Sequence, residues 1–269
     1  MSISQFERNG VVIEIFKMEN FLLIKKEIIN SLRSKVLNEM ASAIELNDNK
    51  KILNSVENIT NENWIKLFGH TSNRILEKRF VQIIENIIFP VLKKNYQITK
   101  ARFHSIREVD KIVNPNLKIT DKSIYYRIVR SGHINDIGFA HRDFDFWQID
   151  EQAKKLQNKG EQRLKFWLPV LGVDPETSLQ FLMGSHKEEV PIEYVETKQG
   201  LRPRINENYL NYHQNNQVNV NLPCKPFYFL FHDKIVHYAG FKEKENCTHP
   251  LRISVEGTIL IKSNSKVYQ

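Results

Sequence analysis

Cysteine is nearly absent. The 269-residue chain has two, Cys224 and Cys247, too few for a disulfide framework and without the C-x-x-C spacing of a zinc site. A reduced, cytoplasmic setting is the expectation. Long apolar runs are missing as well: Glu7, Arg8, Glu14, Lys17 and Glu19 break up the first twenty residues, which reads as no signal peptide and no membrane span. There is no internal repeat, no low-complexity tract and no basic tail. The net charge of +8 is spread out, with 15 basic against 11 acidic groups in residues 1–100 and 24 against 20 in the remainder. Counterion-releasing nucleic-acid binding wants cations gathered on one face or arm, so a nucleic-acid partner is not expected. The excess points only to small anionic ligands.

What remains is an ordinary globular composition, 41% hydrophobic and 26% charged, able to bury a sizeable core. The first hundred residues carry helical periodicity. Phe21, Leu22, Ile24, Ile28, Ile29, Leu32, Val36, Leu37 and Met40 recur at three- and four-residue steps, and a second stripe runs over 74–92 and is expected to close at Pro90. From about residue 100 the texture becomes strand-like, at 123–130, 164–170, 178–183, 226–231 and 251–261, punctuated by Gly, Pro, Asn and Asp. Strands without helices between them favour an antiparallel jelly roll over a parallel sheet. The expectation is one domain over 1–269, with a helical part over 1–100 and a double-stranded β-helix over 101–262. The polar stretch 184–222 reads as a long insertion loop at one mouth of the barrel.

His141-Arg142-Asp143 places two metal-competent side chains at i and i+2, which share one side of an extended segment. His237, at the end of a predicted strand, is the best third donor. Two imidazoles and a carboxylate make the facial triad of non-haem Fe(II) oxygenases. Arg252 and Ser254, again at i and i+2, offer a guanidinium fork with a neighbouring hydroxyl, suited to holding a carboxylate. Five residues before His237, His232 would face the opposite side of a strand and is read as structural. Arg127 and Arg130 differ by three, so one is expected in solvent and the other turned inward as a candidate for an anionic group of substrate or cosubstrate.

Taken in order, His141-x-Asp143, the stretch Trp167 to Asp174, the stretch Leu179 to Lys187 with its Gly184-Ser185-His186 turn, then His237 and Arg252-x-Ser254 resemble the phytanoyl-CoA dioxygenase family of Fe(II)/2-oxoglutarate oxygenases. Met183 stands where that family usually has Pro, and Ser178 where Gly is expected, so the departures fall on a turn. His141-Arg142-Asp143-Phe144-Asp145-Phe146-Trp147 also resembles the ectoine hydroxylase branch, which would set Trp147 beside the substrate; the alternative for its aromatic residues is core packing. The resemblance covers roughly residues 125–262.

The resemblance implies a jelly-roll enzyme with Fe(II) on His141, Asp143 and His237. It also implies 2-oxoglutarate as cosubstrate, held by Arg252 and Ser254, and O2 as oxidant. The implied reaction is hydroxylation of an unactivated C–H in a small, carboxylated or otherwise anionic metabolite, with release of succinate and CO2. Related halogenases have a small residue at the carboxylate position, so Asp143 favours hydroxylation or a related oxidation. The rival from another class is a non-catalytic jelly-roll protein that binds a small ligand or metal without turnover; it predicts a damaged triad or clamp.

Overall fold

A computed structural model describes residues 3–39, 49–69, 74–104, 124–149, 160–197, 200–213, 217–218 and 222–263. All strand pairings among them are antiparallel. The large sheet runs β1 (Val11–Ile15), β9 (Phe227–His232), β4 (Gln162–Leu171), β11 (Leu251–Ser263), β2 (Ile98–Phe103), with β3 (Ile124–Arg130) also pairing with β11. The small sheet runs β10 (His237–Ala239), β5 (Leu179–Leu182), β8 (Gln217–Val218). The protein is thus mainly β with flanking helices, as expected. Among the described residues no helix is long and apolar enough to cross a membrane.

The large sheet separates two environments because its strands alternate. On β11, Leu251, Ile253, Val255, Ile259 and Ile261 join one apolar cluster, together with Leu164, Phe166, Leu168 and Val170 of β4 and Tyr228 and Leu230 of β9. The helices α1 (Ile3–Asn9), α2 (Met18–Glu39), α3 (Asn49–Glu57), α4 (Asn61–Phe68) and α5 (Lys78–Tyr96) supply the other half of that cluster through residues such as Phe6, Ile28, Val56, Trp64 and Ile84. The alternate residues face the small sheet. Trp167, Phe227, Phe229 and Phe231 meet Phe181 there in a second cluster, while Arg252, Ser254 and Thr258 carry buried polar groups on the same side. That inner space is where chemistry can sit.

Several expectations are corrected. Residues 1–100 are not helical throughout: β1 lies within them and β2 begins within them, and the two form the ends of the large sheet. Pro90 lies inside α5, which runs on to Tyr96 and ends at Gln97 in the left-handed region, φ 54°. Burial of Ile88, Leu92 and Tyr96 on both sides of the proline compensates the one lost helical hydrogen bond. The stretch 184–222 is not a plain loop. It holds a hairpin of β6 (Ile192–Thr197) and β7 (Gly200–Ile205), and a helix, Glu207–Tyr212, and the Ile205 amide donates to the Ala140 carbonyl at 2.9 Å. Residues 198–199, 214–216 and 219–221 of that stretch, Ser123 of the expected strand and Met40 of the first stripe lie outside the described residues.

Candidate metal centre

His141 and His237 are brought together by the backbone. The two residues exchange both amide-to-carbonyl hydrogen bonds, at 3.1 and 3.0 Å, forming an isolated antiparallel bridge. His237 opens β10, in register with Phe181 of β5. Its approach is fixed by the Gly184-Ser185 turn: Ser185 Oγ donates to the Leu182 carbonyl at 2.7 Å and accepts from the Val236 amide at 2.9 Å. Gly184 has φ +84°, a backbone that glycine adopts without strain. Asp143 is not in an extended segment, as the i, i+2 reading assumed; it begins the helix α6 (Asp143–Ile149). The start of α6 is tied down by the Phe144 amide donating to the Asp233 carbonyl at 2.9 Å and by the Arg142–Asp145 ion pair at 2.7 Å.

One donor atom from each of His141, Asp143 and His237 lies within 4.8 Å of the other two. His141 Nδ1 is 2.6 Å from the Phe139 carbonyl and His237 Nδ1 is 3.0 Å from the Ile235 carbonyl. A carbonyl only accepts, so both Nδ1 atoms carry the proton and both Nε2 lone pairs are left for a ligand. Asp143 Oδ2 is buried with no hydrogen-bond partner and stands 3.4 Å from His237 Nε2, whereas Oδ1 meets Lys165 Nζ at 3.4 Å. Burial and the neighbouring His237 push His141 down to about 3, and burial also lowers His237, against the pull of Asp143. Although burial alone would raise it, Asp143 lies below the usual carboxylate range because Lys165 and the two imidazoles surround it. The donors are therefore in their metal-binding protonation states at neutral pH.

Arg252 and Ser254 lie on the inner face of β11 as the alternation requires, each with a partner inside the chain. Arg252 Nη1 donates to the Thr177 and Gly240 carbonyls, and Ser254 Oγ donates to Glu256 Oε1 at 3.0 Å. Burial and the nearby Arg127 lower Arg252 to about 10. Arg127 sits opposite Ser254 in the β3–β11 register, half-buried, and no hydrogen bond or ion pair ties its guanidinium to another described residue. Two like charges thus converge on one inner region, the arrangement that an anion would relieve.

Arg130 is not part of that region, and neither arginine is in open solvent. On the helical side of the sheet, Arg130 is buried against Asp136 at 2.8 Å, donates to the Ile59 carbonyl and Asn61 Oδ1, each at 2.9 Å, and lies 4.3 Å from the Trp64 ring. Trp147 is buried beside the His104 ring, with centroids 5.0 Å apart, and under Arg163 at 4.9 Å. That is a packed position one helical turn from Asp143. The aromatic residue nearest the histidines on α6 is Phe146, edge-on to His141 at 5.2 Å and itself covered by Arg202 of the hairpin at 5.5 Å. His232 ends β9; its Nδ1 accepts from the Lys234 amide at 3.1 Å and its ring lies tilted against that of His186, centroids 5.6 Å apart, away from the three donors. Sequence reasoning missed Lys165 and Glu256. Both sit at inward positions of strands it had identified, and carrying the alternation through Trp167 and Ser254 would have found them.

No protein-family model and no curated protein matches the chain. Among solved structures, EvdMO1 aligns with a TM-score of 0.51 at 10% identity, over 96% of this chain and 49% of that one. EctD from S. alaskensis, with 2-oxoglutarate and 5-hydroxyectoine, aligns with a TM-score of 0.47 at 12% identity over 96% and 74% of the two chains. The same protein with bound Fe gives 0.44 at 12% identity. At 10% identity the likeness to EvdMO1 is one of fold.

Proposed function

We propose that the protein is an Fe(II)- and 2-oxoglutarate-dependent oxygenase of the phytanoyl-CoA dioxygenase type, acting on a small anionic metabolite. The observation that carries this reading is the convergence of three donors within 4.8 Å, with both imidazoles held in the Nε2-ligating tautomer and one carboxylate oxygen left bare. Two nitrogens and one oxygen on one side of an ion leave open positions for cosubstrate and O2. When bound, iron, 2-oxoglutarate and O2 supply the oxidising chemistry, which hydroxylates a C–H bond and releases succinate and CO2.

The chain's own part is to bind, orient and exclude water. Phe139 and Ile235 carbonyls orient the imidazoles. Arg252, with Ser254 beside it and Arg127 converging, supplies positive charge for the distal carboxylate of the cosubstrate; Ser254 exchanges its bond to Glu256 for one to that carboxylate. Phe181 and Phe231 stand 6.2 and 4.9 Å from the His237 ring and keep that side of the centre dry. The Phe146–Arg202 pair stands beside His141, and a cation at that place favours a compact substrate with an anionic group over an acyl-CoA thioester.

The test uses the intact chain. Titration with Fe(II) and 2-oxoglutarate without O2 should show about one iron per chain and a weak visible charge-transfer band. His141→Ala, Asp143→Ala and His237→Ala should each abolish or strongly weaken it. In air, succinate should form slowly alone and faster with amino acid derivatives or other carboxylated metabolites. Iron binding unchanged in all three variants overturns the centre; binding without succinate formation from any candidate favours a non-catalytic metal protein.

A further inference from the structure

We infer that Lys165 is a positioning residue that makes Asp143 a one-oxygen ligand. This rests on the metal-centre reading above and adds to it a group that has no place in the triad or the clamp. A lysine is rarely buried unless paired, yet Lys165 is buried at the middle of the inner face of the large sheet. Its Nζ donates to Thr258 Oγ1 at 3.2 Å, directly across the β4–β11 register, and lies 3.4 Å from Asp143 Oδ1. The same carboxylate presents Oδ2, buried and without a hydrogen-bond partner, to the side of His237.

The two oxygens are therefore inequivalent before any ion arrives. Thr258 holds the ammonium, the ammonium holds Oδ1, and Oδ2 is left beside His237 Nε2. A carboxylate free at both oxygens can rotate off the centre, or can chelate through both and close a position that must stay open. Partners of this kind around a ligand typically govern metal affinity by about 10- to 100-fold.

The experiment measures binding of Co(II), an ion read by its visible spectrum, to the full-length parent and to Lys165→Met, Lys165→Arg and Thr258→Val, with thermal melting of each metal-free protein alongside. The expected result is an affinity about 10- to 100-fold weaker for Lys165→Met with an altered cobalt spectrum, recovery in Lys165→Arg to within severalfold of the parent, and a smaller loss in Thr258→Val. Co(II) binding by Lys165→Met as tight as or tighter than the parent's, with the same spectrum, overturns the inference and leaves the metal reading intact. Failure of the parent to bind Co(II) overturns the metal reading itself. If Lys165→Met does not fold, Thr258→Val decides: an affinity and spectrum equal to the parent's refute the role.

Discussion

At the scale of single residues, Arg252 and Arg127 look alike in sequence and differ in what surrounds them. Arg252 donates to two backbone carbonyls, so Arg252→Ala leaves buried acceptors unpaired and should cost about 1–3 kcal/mol of stability. In the clamp role proposed for it, the substitution also removes a charge that would face the cosubstrate's carboxylate, an interaction worth roughly 2–5 kcal/mol. The concentration of 2-oxoglutarate needed should rise by about thirtyfold or more, while metal binding persists. Arg127→Ala breaks no such bonds; it should leave urea-unfolding stability near the parent's and weaken only anionic ligands. Stability and 2-oxoglutarate affinity measured on the pair separate the two roles. Should both variants bind 2-oxoglutarate like the parent, the clamp lies elsewhere.

The elements that carry the triad are short and weakly cooperative by themselves: a three-residue strand, one bridge and the first turn of a helix. What holds them is the Gly184-Ser185 turn, which braces Val236 one residue before His237. Ser185→Ala leaves the buried Val236 amide without its acceptor, an expected loss of about 1–3 kcal/mol. Because the same bond sets where β10 begins, Co(II) affinity should fall together with stability in this variant. Wild-type stability in denaturant would show that the turn does not brace the strand. The hairpin β6–β7 acts at the same scale. Its Ile205 amide bonds to Ala140 beside His141, and its Arg202 covers Phe146, so the insertion forms part of the wall of the centre.

At the scale of the whole molecule, folding half-buries His141 and His186 in their neutral form. Burial pushes His141 down to about 3 and, with the neighbouring His232, His186 to about 4, both below the ordinary value of about 6.5. The unfolded chain therefore binds protons that the folded protein refuses, so stability rises with pH in this window. It should be complete above about pH 6.5 and fall steadily as the pH drops toward 4. Urea midpoints of the metal-free protein between pH 7 and pH 4.5 check this, and a flat profile would mean that these rings are not buried neutral.

The strands at 123–130, 164–170, 178–183, 226–231 and 251–261 were legible from the sequence, because β-branched and aromatic runs bounded by turn residues have few other outcomes. The grouping of His141, Asp143 and His237, which the fold brings within 4.8 Å of one another, was legible because metal-ligand chemistry depends on residue type and order; the clamp role of the Arg-x-Ser pair is proposed on the same ground. Other features follow only from tertiary contacts. β1 and β2 are strands because edges of the sheet were open to them, and Pro90 stays helical because the stripe it interrupts is buried on both sides. Asp143 heads a helix because Asp233 holds the Phe144 amide. Arg130 is a buried ion pair because Asp136 of the turn after its strand and Trp64 of the helical layer enclose it, and Lys165 gains meaning only from Asp143, 22 positions away in the chain. Local sequence determines which face a side chain takes on its own strand, while the partner across the space between two sheets is set by packing, which no periodicity within one segment encodes.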